Sequence, residues 1–188
     1  MASSNSKISS GLNLTSDFYL KNFYRHNRNV IKSSARDDYS KAELSYEDSR
    51  ALKRAIAKLG SFDYTGDENG SNIVSSIHAF IKTYNHAIDS SSSSSSDSYR
   101  QNRQLKALTQ KYSSELKDIG ISIESNGTLS VSENILKGSS IKEIRKVFSE
   151  ESGYLQSIGN ISKRMNRSSY DEIYSQITGN GKRLNITL

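Results

Sequence analysis

The chain contains no cysteine, no proline and no tryptophan among its 188 residues. Without cysteine it can form no disulfide framework, no thiolate metal site and no thiol nucleophile. Without proline the strongest helix breaker is missing, so long helices are permitted and glycine must punctuate them. Long apolar runs are missing too, and none approaches the roughly 20 residues that span a bilayer. The opening Met1-Ala2-Ser3-Ser4-Asn5-Ser6 lacks the basic stretch and apolar core of a cleaved secretion signal. What the chain has in excess is serine, 38 residues, and base, 26 lysines and arginines against 20 acids. One domain with tails is the prior at this length, able to bury about 70% of its extended surface.

Placed on a helical wheel, Ile73, Ile77, Phe80, Ile81, Tyr84 and Ile88 fall within about 100° of one another, the stripe of a helix with one buried face. Leu105, Leu108, Tyr112, Leu116 and Ile119 form a second stripe of about 80°. It runs to Gly120, a residue suited to a left-handed helix stop. Between the two, the serines from Ser90 to Ser96 followed by Asp97 and Ser98 read as a flexible low-complexity linker, residues 90–98, with nothing to bury. Upstream, Leu52, Ala55, Ile56 and Leu59 make a third apolar face. Ser45, with Asp48 three residues on, reads as its start and Gly60 as its stop.

After Gly120 the apolar period changes from helical to alternating. Ile121 and Ile123, then Asn126-Gly127, then Leu129 and Val131 predict a small β-hairpin over residues 121–131, because both turn residues tolerate positive φ. Ile121, Ile123, Leu129 and Val131 would face inward. Ser132 and Ser140 then read as N-caps, the second with Glu143 in the reciprocal position, and Ile141, Ile144, Val147 and Phe148 define a short helix. After Gly153, Tyr154, Leu155, Ile158, Ile161 and Met165 line one face. Beyond Asn166 the stripe rotates by about 110° to Tyr170, Ile173 and Ile177, which predicts a break or a frayed end. Residues 1–16 and 179–188 read as disordered, leaving 17–178 as the folded domain. The fold class is therefore mainly α: an elongated antiparallel helical bundle with one small β-hairpin.

The excess charge is local. The first 36 residues hold six cations against Asp17 alone, so the rest of the chain adds only +1 to the total of +6. Lys21, Arg25, Arg28 and Lys32 lie within about 60° on the wheel, opposite Tyr19, Leu20, Phe23, Tyr24 and Ile31. Such a helix ordinarily turns its apolar face to the core and its cations to water. It is also a surface that can meet phosphate, an anionic membrane or an acidic protein. Four cations would give a salt-sensitive attraction with no means of reading base sequence.

Catalytic patterns are absent. His26, His78 and His86 sit in separate contexts, and the last two, on one helix, are about 80° apart and off its apolar stripe, which predicts half-buried or solvated imidazoles. Asp63, Asp67 and Asn69 do not have the spacing of a helix-loop-helix calcium loop. Gly179-Asn180-Gly181-Lys182 lacks the earlier glycine and the strand of a phosphate loop. The Asn-x-Ser/Thr matches at Asn13, Asn126, Asn160, Asn166 and Asn185 are common in a chain this rich in serine. The residues thus point to a non-enzyme with no cofactor, no metal and no small-molecule substrate.

Three segments, in order, carry a resemblance. Ala79-Phe80-Ile81-Lys82-Thr83-Tyr84-Asn85-His86-Ala87-Ile88 looks like a Phe-x-x-x-Tyr-Asn-x-x-Ile helix. Leu116-Lys117-Asp118-Ile119-Gly120-Ile121 through Asn126-Gly127-Thr128-Leu129-Ser130-Val131 is similar to a helix end, Gly-Ile corner and Asp/Asn-Gly hairpin. Ile144-Arg145-Lys146-Val147-Phe148 looks like a short Val-x-x-Leu-Phe helix. Together, from Ile73 to Met165, 93 of the 188 residues, they resemble the C-terminal region of the bacterial flagellar filament-capping protein, or hook-associated protein 2. The resemblance implies an antiparallel, coiled-coil-like helical domain with a small hairpin. It implies a structural protein that works by packing against copies of itself or other flagellar components, placed at the flagellum or outside the cell by flagellar-type export; without export it would be cytoplasmic. The alternative from a different class is a small basic binding protein whose first helix docks on nucleic acid or an anionic membrane through Lys21, Arg25, Arg28 and Lys32.

Overall fold

Ser40 opens the first helix. Its N–H donates to Glu43 Oε2 at 3.0 Å while the Glu43 N–H donates to Ser40 Oγ at 3.3 Å. This reciprocal cap satisfies two of the free amides at a helix start, and helix α1 runs Lys41–Gly60. In this computed structural model the described residues are 36, 39–65, 70–92 and 96–178. The segments expected to be disordered, 1–16 and 179–188, lie outside them, as does the basic stretch with Lys21, Arg25, Arg28 and Lys32. The account below concerns the unit that begins at Ser40.

The start expected at Ser45 and Asp48 is corrected, since both side chains are buried inside α1. Ser45 Oγ lies 2.8 Å from Ser169 Oγ on another helix. A serine followed three residues later by an acid is common to the true cap and to this interior pair, so only the neighbouring helix distinguishes them. Gly60 is the last residue of α1, but it does not take a left-handed conformation.

Helix α2 spans Gly70–Ser91, and its six predicted stripe residues are all buried. Helix α3 is Ser96–Lys111 and α4 is Ser113–Asp118. Tyr112, at φ −102° and ψ 20°, interrupts what the periodicity reads as one helix. The serine linker is shorter than expected. Ser90 and Ser91 belong to α2 and Ser98 to α3, all three buried. Inside a helix a serine hydroxyl can return to the carbonyl one turn back, as Ser90 does to His86 at 2.9 Å. Asn102 Nδ2 then bridges the two helices, donating to the Ile88 carbonyl at 2.7 Å and to Ser91 Oγ at 2.8 Å. Serines of this tract therefore do have something to bury against.

Gly120 stops α4 at φ +78°, as its position predicts. Strands β1 (Ile121–Ile123) and β2 (Leu129–Val131) pair antiparallel, with Ile121 opposite Val131 and Ile123 opposite Leu129. The hairpin is where the alternation puts it, but its turn differs. Gly127 has φ +85° and no non-glycine residue among those described has positive φ, so Asn126 stays right-handed. Gly127 N–H donates to the Glu124 carbonyl and Glu124 N–H to the Thr128 carbonyl, each at 2.8 Å. This is a three-residue loop ending in a left-handed glycine, in place of a two-residue turn. Asn126 Oδ1 locks it by accepting from Thr128 N–H at 2.9 Å.

Helix α5 (Glu133–Gly138) follows Ser132, which occupies the cap position without a side-chain bond. Helix α6 (Ile141–Phe148) begins with the predicted Ser140–Glu143 reciprocal cap. Helix α7 runs unbroken over Gly153–Thr178, which corrects the break expected after Asn166. Its buried face is continued by Ser162, Met165, Ser169 and Ile173, at helical spacing. The stripe does not jump; two serines that an apolar count passes over carry it.

The four long helices close a ring. α1 packs on α2 and α7, and α3 packs on the other sides of α2 and α7. Ser45 meets Ser169 while Gly60 faces Leu155, so α1 and α7 run antiparallel. Gln101 bonds Ser168 and Thr109 nears Tyr154, so α3 and α7 do too. Tyr84 bonds Thr109 while Asn102 bonds the Ile88 carbonyl, which sets α2 against α3. The unit is thus mainly helical with one antiparallel hairpin, its alternating four-helix core bracketed at one end by the short elements that join α3 to α7.

Candidate functional site

The helix α2 segment Phe80 to Asn85 organises the junction between bundle and hairpin. Phe80, Tyr84 and Ile81 point inward because they share the stripe described above, and Asn85 lies at its edge. Phe80 stands edge-on to Phe148 of α6, ring centroids 5.3 Å apart, and to Tyr154 of α7 at 6.4 Å. Tyr112, at the α3–α4 break, reaches Tyr154 at 5.1 Å. Such aromatic pairs add about 0.5 to 1.5 kcal/mol each beyond the area they bury. They join α2, α6, α7 and the α3–α4 break through one cluster.

Asn85 makes the connection to the hairpin. Its Nδ2 donates to the Leu129 carbonyl at 2.8 Å, and its Oδ1 accepts from the Leu129 N–H at 2.7 Å. Because Glu124 and Thr128 form the inward-bonded pair next to the turn, the next residue along β2 turns both backbone groups away from β1. Leu129 would be left unpaired at a sheet edge. The amide of Asn85 supplies the missing strand. Tyr64, in the loop after α1, serves similarly at the far side: its hydroxyl lies 2.8 Å from the Leu59 carbonyl and 2.9 Å from the Phe148 carbonyl.

The ionisable groups here are held neutral. Burial pushes the Tyr84 phenol up to about 12, against a smaller opposing effect of its hydrogen bond to Thr109 Oγ1. Burial raises Tyr154 and Tyr64 in the same direction. Tyr84 donates to Thr109 at 3.0 Å, whereas Tyr154 stands 3.5 Å from the same oxygen, longer than an ordinary O–H···O bond. The partners of these hydroxyls are Thr109 and the Leu59 and Phe148 carbonyls, and these contacts order the core.

Elsewhere, His78 Nε2 lies 2.9 Å from Glu133 and His86 Nδ1 lies 3.9 Å from Asp48, each imidazole half-buried as its wheel position predicts. Asp63 accepts from Thr65 N–H at 2.9 Å and from its hydroxyl at 2.5 Å, which lowers its pKa. This is a local turn. Among the described residues no three His, Asp or Glu side chains gather as a metal site, and no helix is long and apolar enough to cross a membrane.

The structure brings Ile121, Ile123, Leu129 and Val131 onto one face, with Ile121 and Leu129 buried and the other two half-buried against the core. Asn126 and Gly127 form the tip. Lys21, Arg25, Arg28 and Lys32 lie outside the described residues. Sequence reasoning named Asn85 only as a position of the Phe-x-x-x-Tyr-Asn-x-x-Ile likeness and missed its role, because its partner lies 44 residues away. Compared with protein-family models, curated proteins and solved structures, the chain matches none.

Proposed function

We propose that the chain is a structural and interaction protein related to the flagellar filament cap, acting by helix packing and assembly rather than by catalysis. One observation supports this reading: the three segments that carry the sequence likeness meet in space. Asn85 of the first bonds Leu129 of the second, and Phe80 of the first packs edge-on against Phe148 of the third. A chance likeness of three scattered segments does not require them to share one packing site. The partners are then copies of the same chain or other flagellar components, and the place of action is the filament, reached by flagellar-type export. The test is to mix the purified protein with sheared flagellar filaments and image gold-labelled protein. Decoration confined to filament ends is expected; uniform or absent decoration defeats the reading.

A second reading rests on the charge balance, since five of the six net positive charges fall within the first 36 residues. In it the chain docks on nucleic acid or an anionic membrane through Lys21, Arg25, Arg28 and Lys32. Four phosphate contacts would give a logarithmic salt slope of roughly −3.6 on duplex DNA. Titration with duplex DNA and with anionic vesicles at two salt concentrations separates the readings, and absence of binding at low salt removes this one.

A further inference from the structure

We propose that the groove between α1 and α7 is a docking site for an amphipathic helix of a partner protein whose carboxylates engage Lys53 and Lys163. The groove has a volume of about 650 Å³, and its sides come from the second half of α1 and the first half of α7. Ile56, Ala57 and Leu155 give it apolar lining, beside the polar Gln156 and Asn160. Gly60 and Gly159 also line it, and a Cβ on either would stand in ordinary van der Waals contact with the facing helix, at 3.6 Å from Leu155 and 3.7 Å from Ile56.

The charge of the rims selects the occupant. Lys53 and Lys163 stand on opposite helices, near one another in the antiparallel pairing that sets Ser49 by Asn166 and Gly159 by Ile56. Neither ammonium forms an ion pair with a carboxylate among the described residues. Glu150 lines the end of the same groove, beside Gly60. A polyanion laid along the groove would meet the Glu150 carboxylate at one end and the apolar side chains of Ile56, Ala57 and Leu155 along its length, so nucleic acid and lipid headgroups fit it poorly. A helix with an apolar stripe fits that apolar lining. Carboxylates in one half of that helix would pair with the two lysines, and its other half, facing Glu150, would carry none. Docking on this surface needs no flagellar component.

The probe is a synthetic helical peptide of about 14 residues, some 21 Å long. It carries leucine and alanine on one face and glutamates flanking that face in one half only. A control peptide has lysine at each glutamate. Binding to the full chain is followed by fluorescence anisotropy. The acidic peptide should bind and the basic one should not, and affinity should fall about tenfold from low to moderate salt. Lys53→Glu with Lys163→Glu should weaken binding roughly tenfold or more. Gly159→Leu should fill the groove beside Ile56 and weaken binding, with the melting temperature checking that the variant folds. Equal binding of both peptides, no binding of the acidic peptide, or binding that survives the double charge reversal would overturn the proposal. So would tighter capture of anionic phospholipid vesicles through the same two lysines. Because the assay contains no filament, its failure is distinguishable from failure of the end-decoration experiment.

Discussion

Asn85 and Leu129 are paired as two strands are paired, although Asn85 is on a helix: its side-chain amide both donates to and accepts from the Leu129 backbone, at 2.8 and 2.7 Å. The contact ties β2 to α2 and closes the sheet edge that β1 leaves open. Removing the amide orphans a donor and an acceptor together, and an unsatisfied buried polar group costs about 1 to 3 kcal/mol. Asn85→Ala should therefore lower stability by about 2 kcal/mol in a denaturant titration. Leu129 amide exchange should accelerate more than that of core amides in α2. Asn85→Asp should be comparably harmful, since a carboxylate cannot donate to the Leu129 carbonyl. An unchanged midpoint in both variants would show that the pairing contributes nothing.

Gly120 and Gly127 both need positive φ, but their surroundings differ. A Cβ on Gly127 would approach the Lys106 side chain at 2.7 Å, a chain that can swing away. A Cβ on Gly120 would come within 2.8 Å of Ile135 Cβ and 3.0 Å of the Ser132 carbonyl oxygen, which cannot. Gly127→Ala should then cost about 1 to 2 kcal/mol, the left-handed penalty alone. Gly120→Ala should cost more, because that penalty is joined by a clash with fixed atoms. Gly127→Val, β-branched, should be worse than Gly127→Ala. The order of the melting temperatures decides the matter, and Gly120→Ala melting above Gly127→Ala would contradict it.

How much of this was legible beforehand depended on whether burial was achieved by large apolar groups. The α2 stripe and the α6 face were readable because isoleucine, tyrosine, valine and phenylalanine recur there at helical spacing, the Ser140 cap because Glu143 follows at the reciprocal position, and the hairpin because its isoleucines alternate. Where serine is buried, the sequence misleads. Ser45 with Asp48 imitates a helix start, Ser162 and Ser169 hide the continuation of α7, and the serine tract conceals turns of α2 and α3. A serine in a tight helix seam differs from a solvated one only in what lies opposite, and that is a tertiary fact. The roles of Asn85 and Asn102 escaped for the same reason. The α1–α7 groove was invisible too, since its lining residues come together only when two helices far apart in sequence pack side by side.

Alkali should unfold the bundle within a defined window. The Tyr84 phenol is pushed up from its ordinary 10.0 to about 12 in the folded chain. A pKa raised on folding means that the neutral form is favoured, so the stabilisation is complete below pH about 10 and is lost as the pH climbs toward about 12. Burial acts on Tyr154 and Tyr64 in the same direction, adding to the loss. Helicity by circular dichroism should fall cooperatively there, together with a rise in tyrosinate absorbance. Tyr84→Phe removes one of the ionising groups and should move the transition to higher pH. Helicity that persists above this window with full tyrosinate absorbance would mean that these phenols titrate without opening the core.

The Ser45–Ser169 contact separates a favourable bond from a mere filler of space. The two hydroxyls lie 2.8 Å apart and both residues are fully buried between α1 and α7. Replacing either by alanine leaves the other hydroxyl with one partner fewer, at about 1 kcal/mol. Replacing both removes the unsatisfied group along with the bond, so the double variant should be no less stable than either single one. The double-mutant cycle should then show a coupling of about 1 kcal/mol or more. Thermal denaturation of the four proteins measures it. Purely additive losses would mean that the serines sit in this seam for their size, because only small side chains let the two helices approach closely there.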